Sequence, residues 1–301
     1  MGFKLITMPE LPEVETIRSG LEKYLVGHKI EDVQINVAKS FIGNPKEIIG
    51  AKIAGTRRFG KVLVIDLSNG FSLLTHLKLT GQYIYRGPHL KNPPSLSQKV
   101  FGLPGKHTRV IFKLDQNAYL YFNDLRKFGW IRVLETDKVT ETGMIGKMGP
   151  EPLVGQASSG QAILTLEFFR KILSKSKKPI KLLLMEQEKI SGIGNIYANE
   201  ALWLAGINPR KKSLSLSPSL SEKLFKAIEK VLKEGIKAGG ASDMHYVTAA
   251  GDEGKYQEHF LVYDKKGEIC SRPAWRQAGV KIEKIQLGGR GTYFCPICQK
   301  L

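Results

Sequence analysis

The sequence predicts an α+β chain in three parts: a β-rich domain with a flanking helix, a helical domain, and a small C-terminal hairpin module. Strand-like apolar runs dominate residues 61–134, helix-like periodicity dominates residues 181–237, and short strand-like runs return after residue 260. With 301 residues, 42% of them hydrophobic, the chain can build about two domains with their own cores.

The first predicted element is a helix that follows the stretch Pro9-Glu10-Leu11-Pro12-Glu13. Apolar residues recur at Val14, Ile17 and Leu21, which is the spacing of one helical face. Acidic side chains in the first turn interact favourably with the positive end of the helix dipole. The pattern therefore predicts a helix that packs one face on the β-rich domain.

The β-rich domain is predicted from apolar and β-branched runs separated by turn residues. Ser68-Asn69-Gly70 separates the first two runs, as a tight hairpin connection would. Residues 87–106 are rich in Pro, Gly and Ser and predict a long surface loop. The predicted strands are Lys61 to Leu67, Phe71 to Leu79, Arg109 to Leu114, Ala118 to Phe122 and Trp130 to Leu134.

Helices are predicted after a linker around residues 154–160. Apolar side chains at helical spacing occupy residues 181–188, 196–205 and 221–237. Ser219, with Glu222 three residues later, predicts a capping box at the start of the last helix.

Charge and cysteine content narrow the function classes. Lysine and arginine number 46 against 28 aspartate and glutamate, which leaves a net charge of +18. This surplus favours a polyanionic partner, because each neutralised phosphate releases counterions. No apolar run approaches the ~20 residues of a membrane helix. The chain has three cysteines, an odd number, and no export signal, which argues against a disulfide framework. We therefore expect a cytoplasmic protein that binds nucleic acid and no membrane.

A glycine-rich turn, Ser191-Gly192-Ile193-Gly194, precedes the second helix of the helical domain. Backbone N–H groups at such a helix start can bind a phosphate, and the Asn195 amide could contact the same group. An ordinary helix–turn–helix corner carries the same glycines, so the turn alone does not decide its role. Lys177 lies in a basic run upstream that would extend a DNA footprint beside the turn.

Five segments, in one order, resemble bacterial formamidopyrimidine-DNA glycosylases of the helix-two-turn-helix superfamily. They are MPELPEVETIRSGLE, the strand at Lys61, NDLRKFGW, EQEKISGIGNIYANEALWLAGINP and LGGRGTYFCPICQ, and the resemblance extends from Met8 to Leu301. It implies a β-sandwich-like N-terminal domain with a flanking helix, a helical helix-two-turn-helix domain and a C-terminal zinc-finger-like β-hairpin. The implied bounds are 8–150 for the catalytic domain, 151–164 for a linker, 165–258 for the helical domain and 259–301 for the hairpin module.

The resemblance implies a bifunctional DNA glycosylase and AP lyase that acts on damaged double-stranded DNA in base-excision repair. Its substrates would be oxidised purines, namely 8-oxoguanine and formamidopyrimidines. The alternative within enzymes is an endonuclease VIII-like glycosylase for oxidised pyrimidines, but that branch typically opens with a PEGPE-type start, where this chain has PELPE. The resemblance also implies a monomer.

By resemblance, the chemistry belongs to Pro9, Glu10, Lys61 and Arg290. The Pro9 amine would attack the sugar C1′, expel the damaged base and form an iminium. Glu10 would transfer a proton at the sugar ring oxygen. Lys61 and Arg290 would act near the phosphates during successive β- and δ-elimination.

The resemblance also implies how the base leaves the stack. Leu79, Arg126 and Phe128 would fill the void that the extruded base leaves. Leu79 stands where the family commonly has methionine, a nearly volume-conserving exchange. Without the resemblance, core packing would be the simpler interpretation of Leu79 and Phe128. Further candidates for DNA contact are His107, Asn195, Lys177 and, more weakly, His76.

Seven residues precede Met8, and they bear directly on this chemistry. With them in place, the Pro9 nitrogen is a tertiary amide, which cannot form an iminium. We favour a start at Met8, directly before the motif, so that removal of the methionine frees the Pro9 amine. If the extension is real, the alternative is a non-catalytic DNA-damage-binding protein.

The cysteines depart from the family pattern of two CxxC pairs around one zinc ion. Cys295 and Cys298 form an intact pair, but Cys270 has Pro273 where its partner thiol belongs, followed by an insertion at residues 274–279. Structural zinc normally takes four ligands. We expect Zn²⁺ to be held by three thiolates with a fourth group or water, the alternative being a hairpin that holds without metal.

Residues 239–246 occupy the region where the family contacts the lesion. The pair Gly239-Gly240 suits a mobile lid. The residues after it differ from the commoner Thr-Thr-Leu pattern, so the resemblance defines the reaction type better than the substrate preference.

Overall fold

The computed structural model describes residues 8–152, 160–243, 245–272 and 278–301. The seven residues before Met8, residues 153–159 of the predicted linker and residues 274–277 of the predicted insertion lie outside the described residues. In chain order the helices and strands are α1 (Leu11–Leu25), β1 (Ile30–Ile35), β2 (Phe41–Ile42), β3 (Ile53–Phe59), β4 (Val62–Leu67), β5 (Phe71–His76), β6 (Gly81–Arg86), β7 (Thr108–Leu114), β8 (Tyr119–Asp124), β9 (Trp130–Glu135), α2 (Leu166–Ser174), α3 (Ile180–Leu184), α4 (Asn195–Ala205), α5 (Pro218–Lys237), β10 (Glu283–Leu287) and β11 (Arg290–Phe294).

The N-terminal half contains two β-sheets that share one hydrophobic core. One sheet has the strand order β1-β7-β8-β6, and the other has the order β2-β9-β5-β4-β3. Val33 and Phe112 of the first sheet lie in the same buried cluster as Ile65 and Leu73 of the second. The β-sandwich-like domain predicted from the sequence is therefore confirmed.

Helix α1 packs against this sandwich and also reaches the helical domain. Its Val14 and Ile17 are fully buried in the core of the sandwich, as their spacing predicts. Leu11, at its first position, is buried in the core of the helical domain instead. The start of α1, and the residues directly before it, therefore lie at the boundary between the two domains.

Some strands differ from the sequence-based prediction. The run from Phe71 ends as a strand at His76, because Lys78 adopts φ +53° and the chain turns toward β6. The sequence pattern does not reveal β1, β3 or β6. In β3 the reason is visible, since Arg57 and Arg58 interrupt its apolar run yet form ion pairs inside the fold.

The helical domain confirms the predicted helices and corrects their ends. Helix α5 begins at Pro218, and the Ser217 side chain accepts the N–H of Leu220, so Ser217 is the cap and the predicted capping box at Ser219 is wrong. Proline suits the first helical position because its missing N–H would lack a partner there anyway. Helix α3 is shorter than predicted. Helix α2 was not predicted, because it lies in the basic run that precedes the glycine-rich turn. No helix among the described residues is long and apolar enough to cross a membrane.

The C-terminal module is a hairpin that packs on the helical domain. Strands β10 and β11 pair antiparallel, with Leu287 opposite Arg290 at the turn. Tyr293 and Cys295 are buried in the same cluster as the helices. The predicted hairpin is confirmed, and its turn is held close to the domain boundary.

A buried ion cluster joins α1 to the segment that leads into the helical domain. Arg58 donates from Nε to Glu15 at 2.8 Å, and its two terminal nitrogens each donate to Glu151 at 2.8 Å. The Gly60 N–H donates to Glu151 at 2.6 Å. Because Lys61 follows Gly60, the cluster also fixes the turn that carries Lys61.

Replacing Arg58 by methionine should lower the free energy of unfolding by about 3–5 kcal/mol, because the buried Glu151 loses its cation and Glu15 keeps only Arg18. Arg57→Met is the matched control. Arg57 pairs with Asp66 at 2.6 Å, but each side chain is about one fifth exposed, so the loss should be about 1 kcal/mol or less. Urea denaturation followed by circular dichroism measures both values, and equal losses would contradict the special role of Arg58.

Candidate active site and DNA interface

A cavity of about 260 Å³ lies where the two domains and the hairpin meet. The start of α1 contributes Glu10, the turn after β3 contributes Lys61, and the hairpin turn contributes Arg290. Three of the residues predicted to be catalytic are thus brought to one cavity from distant parts of the chain. The other lining residues are Met8, Leu79, Met185, Gln187, Gly194, Asn195 and Gly291.

Glu10 is held by the N-terminus of α4. Its carboxylate accepts the N–H of Gly194 at 2.7 Å and that of Ile196 at 2.8 Å, and the residue is only 2% exposed. A Cβ on Gly194 would overlap the Glu10 carboxyl group, so this approach requires glycine. The dipole of α4 adds a favourable interaction with negative charge at this position.

The sequence left open whether the turn before α4 binds a phosphate or is an ordinary corner, and the structure places the Glu10 carboxylate at this helix start. The N-cap of α4 is Gly194, and Asn195 is its first residue. Within the turn, the Gly194 N–H is already bonded to Glu10. The Leu11 N–H donates to Gly192 O at 3.0 Å, which ties the two segments together. Asn195 itself still lines the cavity.

Burial controls the protonation of the cavity. It raises the pKa of Glu10 to about 7, although the Lys61 charge and the backbone N–H groups act to lower it. Glu10 can therefore keep a proton close to neutral pH. Burial lowers the pKa of Lys61, against the attraction of Glu10 and Glu13. A carboxyl group and an amine with such shifted values are typical of groups that exchange protons with a substrate.

Pro9 is buried beside a second cavity of about 10 Å³. Met8 and Leu79 line both this small cavity and the larger one. Pro9 therefore lies in the same site as Glu10.

The three predicted wedge residues are close together on the N-terminal domain. The Arg126 guanidinium lies over the Phe128 ring at 4.9 Å, and Phe128 is 50% exposed. The Arg126 N–H donates to Thr80 Oγ1 at 3.0 Å, which connects this loop to the turn that carries Leu79. Phe128 is thus not a core residue, and its exposed ring is available for insertion into a base stack.

The remaining predicted DNA contacts have different surroundings. His107 is half-buried, with its ring 5.0 Å from that of Phe101. His76, the last residue of β5, accepts the N–H of Lys78 at Nδ1, at 3.0 Å, and burial lowers its pKa to about 3, so its side chain is neutral. Lys177 is exposed, and it is not one of the described residues that line the two cavities.

A buried lysine that the sequence analysis did not assign to the site positions the hairpin. Lys181 donates from Nζ to Gly291 O at 2.8 Å and to Thr292 Oγ1 at 2.7 Å. Burial lowers its pKa to about 7. These bonds hold the turn that carries Arg290. In the sequence Lys181 is one lysine of a basic run, and no local signal distinguishes it.

Glu13 is a second residue that the sequence analysis missed. Its carboxylate accepts the N–H of Glu10, the hydroxyl of Tyr197 and the N–H of Ala241, each at 2.8 Å. It therefore joins α1, α4 and the loop that follows α5. Its spacing of three residues from Glu10 was the available signal, because an acidic side chain at the third helical position can accept the backbone N–H of the N-cap residue.

Three thiols converge beside the C-terminal hairpin and form a zinc-type site. The Sγ atoms of Cys270, Cys295 and Cys298 lie within 4.8 Å of one another, with Cys270 and Cys298 4.0 Å apart. Tetrahedral zinc with Zn–S bonds near 2.3 Å places its sulfurs about 3.8 Å apart, so the three thiols fit the ion. Among the described residues, no fourth Cys, His, Asp or Glu joins the group.

Loss of one thiol should abolish zinc binding, because the site would then keep only two of its three protein ligands. Cys298→Ser is expected to abolish stoichiometric zinc binding and to lower the free energy of unfolding by about 3 kcal/mol at zinc concentrations 100-fold above Kd. Atomic absorption and urea denaturation measure the two effects. Ser271→Ala, an exposed position beside Cys270, is the control and should change neither. Full zinc content in Cys298→Ser would exclude Cys298 as a ligand.

Comparison with known proteins agrees with this architecture along the chain. Three family models match: Formamidopyrimidine-DNA glycosylase N-terminal domain at residues 8–131, Formamidopyrimidine-DNA glycosylase H2TH domain at residues 148–246, and Zinc finger found in FPG and IleRS at residues 279–301. The Formamidopyrimidine-DNA glycosylase of Pelotomaculum thermopropionicum is 39% identical over 300 residues, covering 98% of this chain and 100% of that protein. The Formamidopyrimidine-DNA glycosylase of Lactococcus lactis subsp. cremoris is 39% identical over 297 residues, and the match covers 97% of this chain and 100% of that protein.

Solved structures show the same similarity. The complex between the Lactococcus lactis Fpg and an abasic site containing DNA matches with a TM-score of 0.82 at 37% identity, over 97% of this chain and 100% of that one. The complex of wild-type Lactococcus lactis Fpg with a N7-Benzyl-Fapy-dG containing DNA matches with a TM-score of 0.81 at the same identity and coverage. The chain belongs to the formamidopyrimidine-DNA glycosylase family.

Proposed function

We propose that the protein is a bifunctional DNA glycosylase and AP lyase that excises oxidised purines from double-stranded DNA in base-excision repair. The observation that carries the proposal is the buried Glu10 carboxyl group, with a pKa of about 7, beside Lys61 and Arg290 at one cavity. The net charge of +18 supports DNA as the partner. Relatives named for this activity, and relatives solved with abasic-site and lesion-containing DNA, support it as well.

Pro9 is the nucleophile in this proposal. As the first residue it carries a secondary amine with a pKa near ~8, so part of it is unprotonated at neutral pH. The nitrogen forms a bond to C1′ and loses its proton, while Glu10 donates a proton to the ring oxygen O4′ and the C1′–O4′ bond opens. The lone pair of the nitrogen then expels the base, which leaves with the electron pair of its bond to C1′, and an iminium forms between the nitrogen and C1′.

Strand cleavage follows from the charge of the iminium. That charge acidifies the C2′ proton, whose removal expels the 3′ phosphate; a second elimination expels the 5′ phosphate. Lys61 and Arg290 bring positive charge to the cavity and stabilise the departing phosphates. Lys181 acts on Arg290 by holding the hairpin turn. Water then hydrolyses the iminium and restores the amine.

Extrusion of the base is assigned to Leu79, Arg126 and Phe128. The exposed Phe128 ring can enter between base steps, and Arg126 can hydrogen-bond the base that has lost its partner. His76 contributes by fixing the turn that leads into Leu79. The DNA backbone contacts are assigned to His107, Asn195 and Lys177.

Zinc, when bound by the three thiolates, cross-links the hairpin module and so supports the position of Arg290. We further propose that the protein acts as a monomer, because Pro9, Glu10, Lys61 and Arg290 come from one chain. Its working compartment is proposed to be the cytoplasm, where a bacterial chromosome is accessible. Size-exclusion chromatography with light scattering tests the monomer.

Base release from defined duplexes tests the function. The protein that begins at Pro9 is incubated with a duplex containing 8-oxoguanine opposite cytosine and, separately, with one containing thymine glycol. We expect release of 8-oxoguanine and a strand break with phosphates at both ends of the gap. Preferential release from thymine glycol would favour the endonuclease VIII-like activity. Tight binding to an abasic-site analogue without any cleavage would favour a damage-binding protein.

A further inference from the structure

A third cavity, of about 550 Å³, lies on the helical domain beside α2. We call it the α2 groove; it is lined by residues 148–150, by one face of α2 and by parts of residues 175–189. Its volume falls within the range of ~300–1,000 Å³ that is usual for ligand-binding clefts. None of the described residues that line it also lines either cavity of the candidate active site. The groove is therefore a separate site.

Residues 185–189 separate the α2 groove from the catalytic cavity. Met185 and Gln187 line the catalytic cavity, whereas Glu186 and Glu188 line the groove. The Gly149 N–H donates to the Gln187 carbonyl at 2.9 Å, which joins another part of the groove lining to the same segment. The two cavities thus lie on different sides of one segment, and a ligand in the groove leaves the catalytic cavity open.

Helix α2 presents two rows of side chains to the groove. Phe168 and Ile172 form an apolar row, and Lys171 and Lys175 form a basic row. In each row the side chains are four residues apart, so they are neighbours on the helix surface. Phe168 is 44% exposed, whereas the adjacent Phe169 is fully buried in the core of the domain. The helix therefore turns a face that is partly apolar and partly basic toward solvent.

Most of the lysines at the groove are not neutralised. Lys171, Lys175 and Lys189 are exposed and have no carboxylate partner among the described residues, whereas Lys178 pairs with Glu186. Uncompensated positive charge beside an exposed apolar surface is complementary to a ligand that carries carboxylates next to apolar side chains.

The apolar lining favours a peptide over a nucleic acid. Single strands bind through phosphates and through bases that stack on aromatic rings. Phe168 is the one aromatic ring among the described lining residues, and Met148, Ile172 and Leu183 are aliphatic or thioether side chains. We propose that the α2 groove binds an acidic segment of a partner protein, whose apolar side chains pack on the Phe168 row and whose carboxylates pair with the lysines. This contact would tether the protein to its partner, and it does not depend on the proposed glycosylase function.

Two synthetic peptides of equal charge test the proposal. The probe is fluorescein-labelled Asp-Asp-Leu-Phe-Asp-Asp-Leu-Phe-Asp, and the control peptide has serine in place of each leucine and phenylalanine. Fluorescence anisotropy is measured at about 0.15 M salt, where exposed charges more than ~8 Å apart are largely screened. We expect saturable binding of the probe at micromolar concentration and at least about tenfold weaker binding of the control peptide. Equal affinities would reduce the effect to attraction by the net charge of +18 and overturn the proposal, as would a probe that does not bind.

Variants of the exposed face of α2 locate the bound peptide. Phe168→Ser should weaken probe binding about tenfold, and the double variant Lys171→Gln, Lys175→Gln about fivefold. The matched control is Lys223→Gln, Lys233→Gln, which removes the same charge from exposed positions of α5 and should change nothing. Circular dichroism verifies that each variant is folded. Wild-type affinity in both α2 variants, or equal losses in the α5 control, would overturn the proposal.

DNA distinguishes this surface from an extension of the DNA interface. The probe should bind the complex with an abasic-site duplex as tightly as it binds the free protein, and the lysine variant should bind that duplex like wild type. Displacement of the probe by the duplex or by oligothymidylate, or weaker duplex binding by the lysine variant, would assign the groove to DNA and overturn the proposal. None of these results bears on base release, which tests the proposed function separately.

Discussion

Glu10→Gln should reduce the release of 8-oxoguanine by about 10²–10⁴-fold, the range that a positioned general acid contributes. Glutamine keeps one side-chain oxygen, which can accept the N–H of Gly194 or that of Ile196, whereas Glu10 accepts them at separate oxygens. It cannot, however, deliver a proton to the sugar ring oxygen. Single-turnover kinetics on an 8-oxoguanine duplex measure the loss. Binding of an abasic-site analogue should change little, because the cavity keeps its shape and its cations.

The pH dependence supplies the control for this prediction. Base release requires an unprotonated amine and a protonated Glu10, so the wild-type profile should fall as pH rises through about 7, the pKa of Glu10. This alkaline limb should be absent from Glu10→Gln. The stability of the fold also decreases as the pH rises. In the folded protein Glu10 keeps its proton up to about pH 7, whereas in the unfolded chain it releases the proton above pH 4.5. Its contribution to stability therefore declines between pH 4.5 and about 7. An unchanged profile in Glu10→Gln would exclude Glu10 as the acid.

Covalent trapping with borohydride should depend completely on a free Pro9 amine. A protein that begins at Met8, and loses that methionine, presents a secondary amine; a protein that begins at Met1 presents a tertiary amide whose lone pair is held by resonance. We expect a reduced protein–DNA adduct only from the first protein. Denaturing electrophoresis after reduction, with 8-oxoguanine opposite cytosine in the duplex, measures it.

The two proteins should bind an abasic-site analogue equally, which separates loss of chemistry from loss of DNA binding. An adduct of equal yield from both proteins would identify another nucleophile. Lys61, a buried amine whose pKa is lowered by that burial, would be the first candidate, and peptide mapping would locate the bond. An adduct from neither protein, with tight binding retained, would favour the damage-binding alternative.

Much of the candidate site was predictable from the sequence because its residues lie in short, distinctive segments. Glu10, Lys61 and Arg290 were expected in one site, and the structure places them at one cavity. The sequence left the turn before α4 open between a phosphate site and an ordinary corner. The anion at the α4 amides is Glu10, 186 positions before Ile196 along the chain. A local pattern shows that a helix start can bind an anion, but it cannot show which anion binds there.

The sequence by itself determined the fold class, the family and the nature of the chemistry. Apolar periodicity and the order of motifs are properties of the sequence, so they are visible without the tertiary structure. Tertiary structure alone decided the role of Lys181 and the full set of partners of Glu13. Each is an ordinary polar residue in the sequence and becomes significant only through burial. Removal from water shifts a pKa or leaves a polar atom in need of a partner, and burial is created by segments that are distant along the chain.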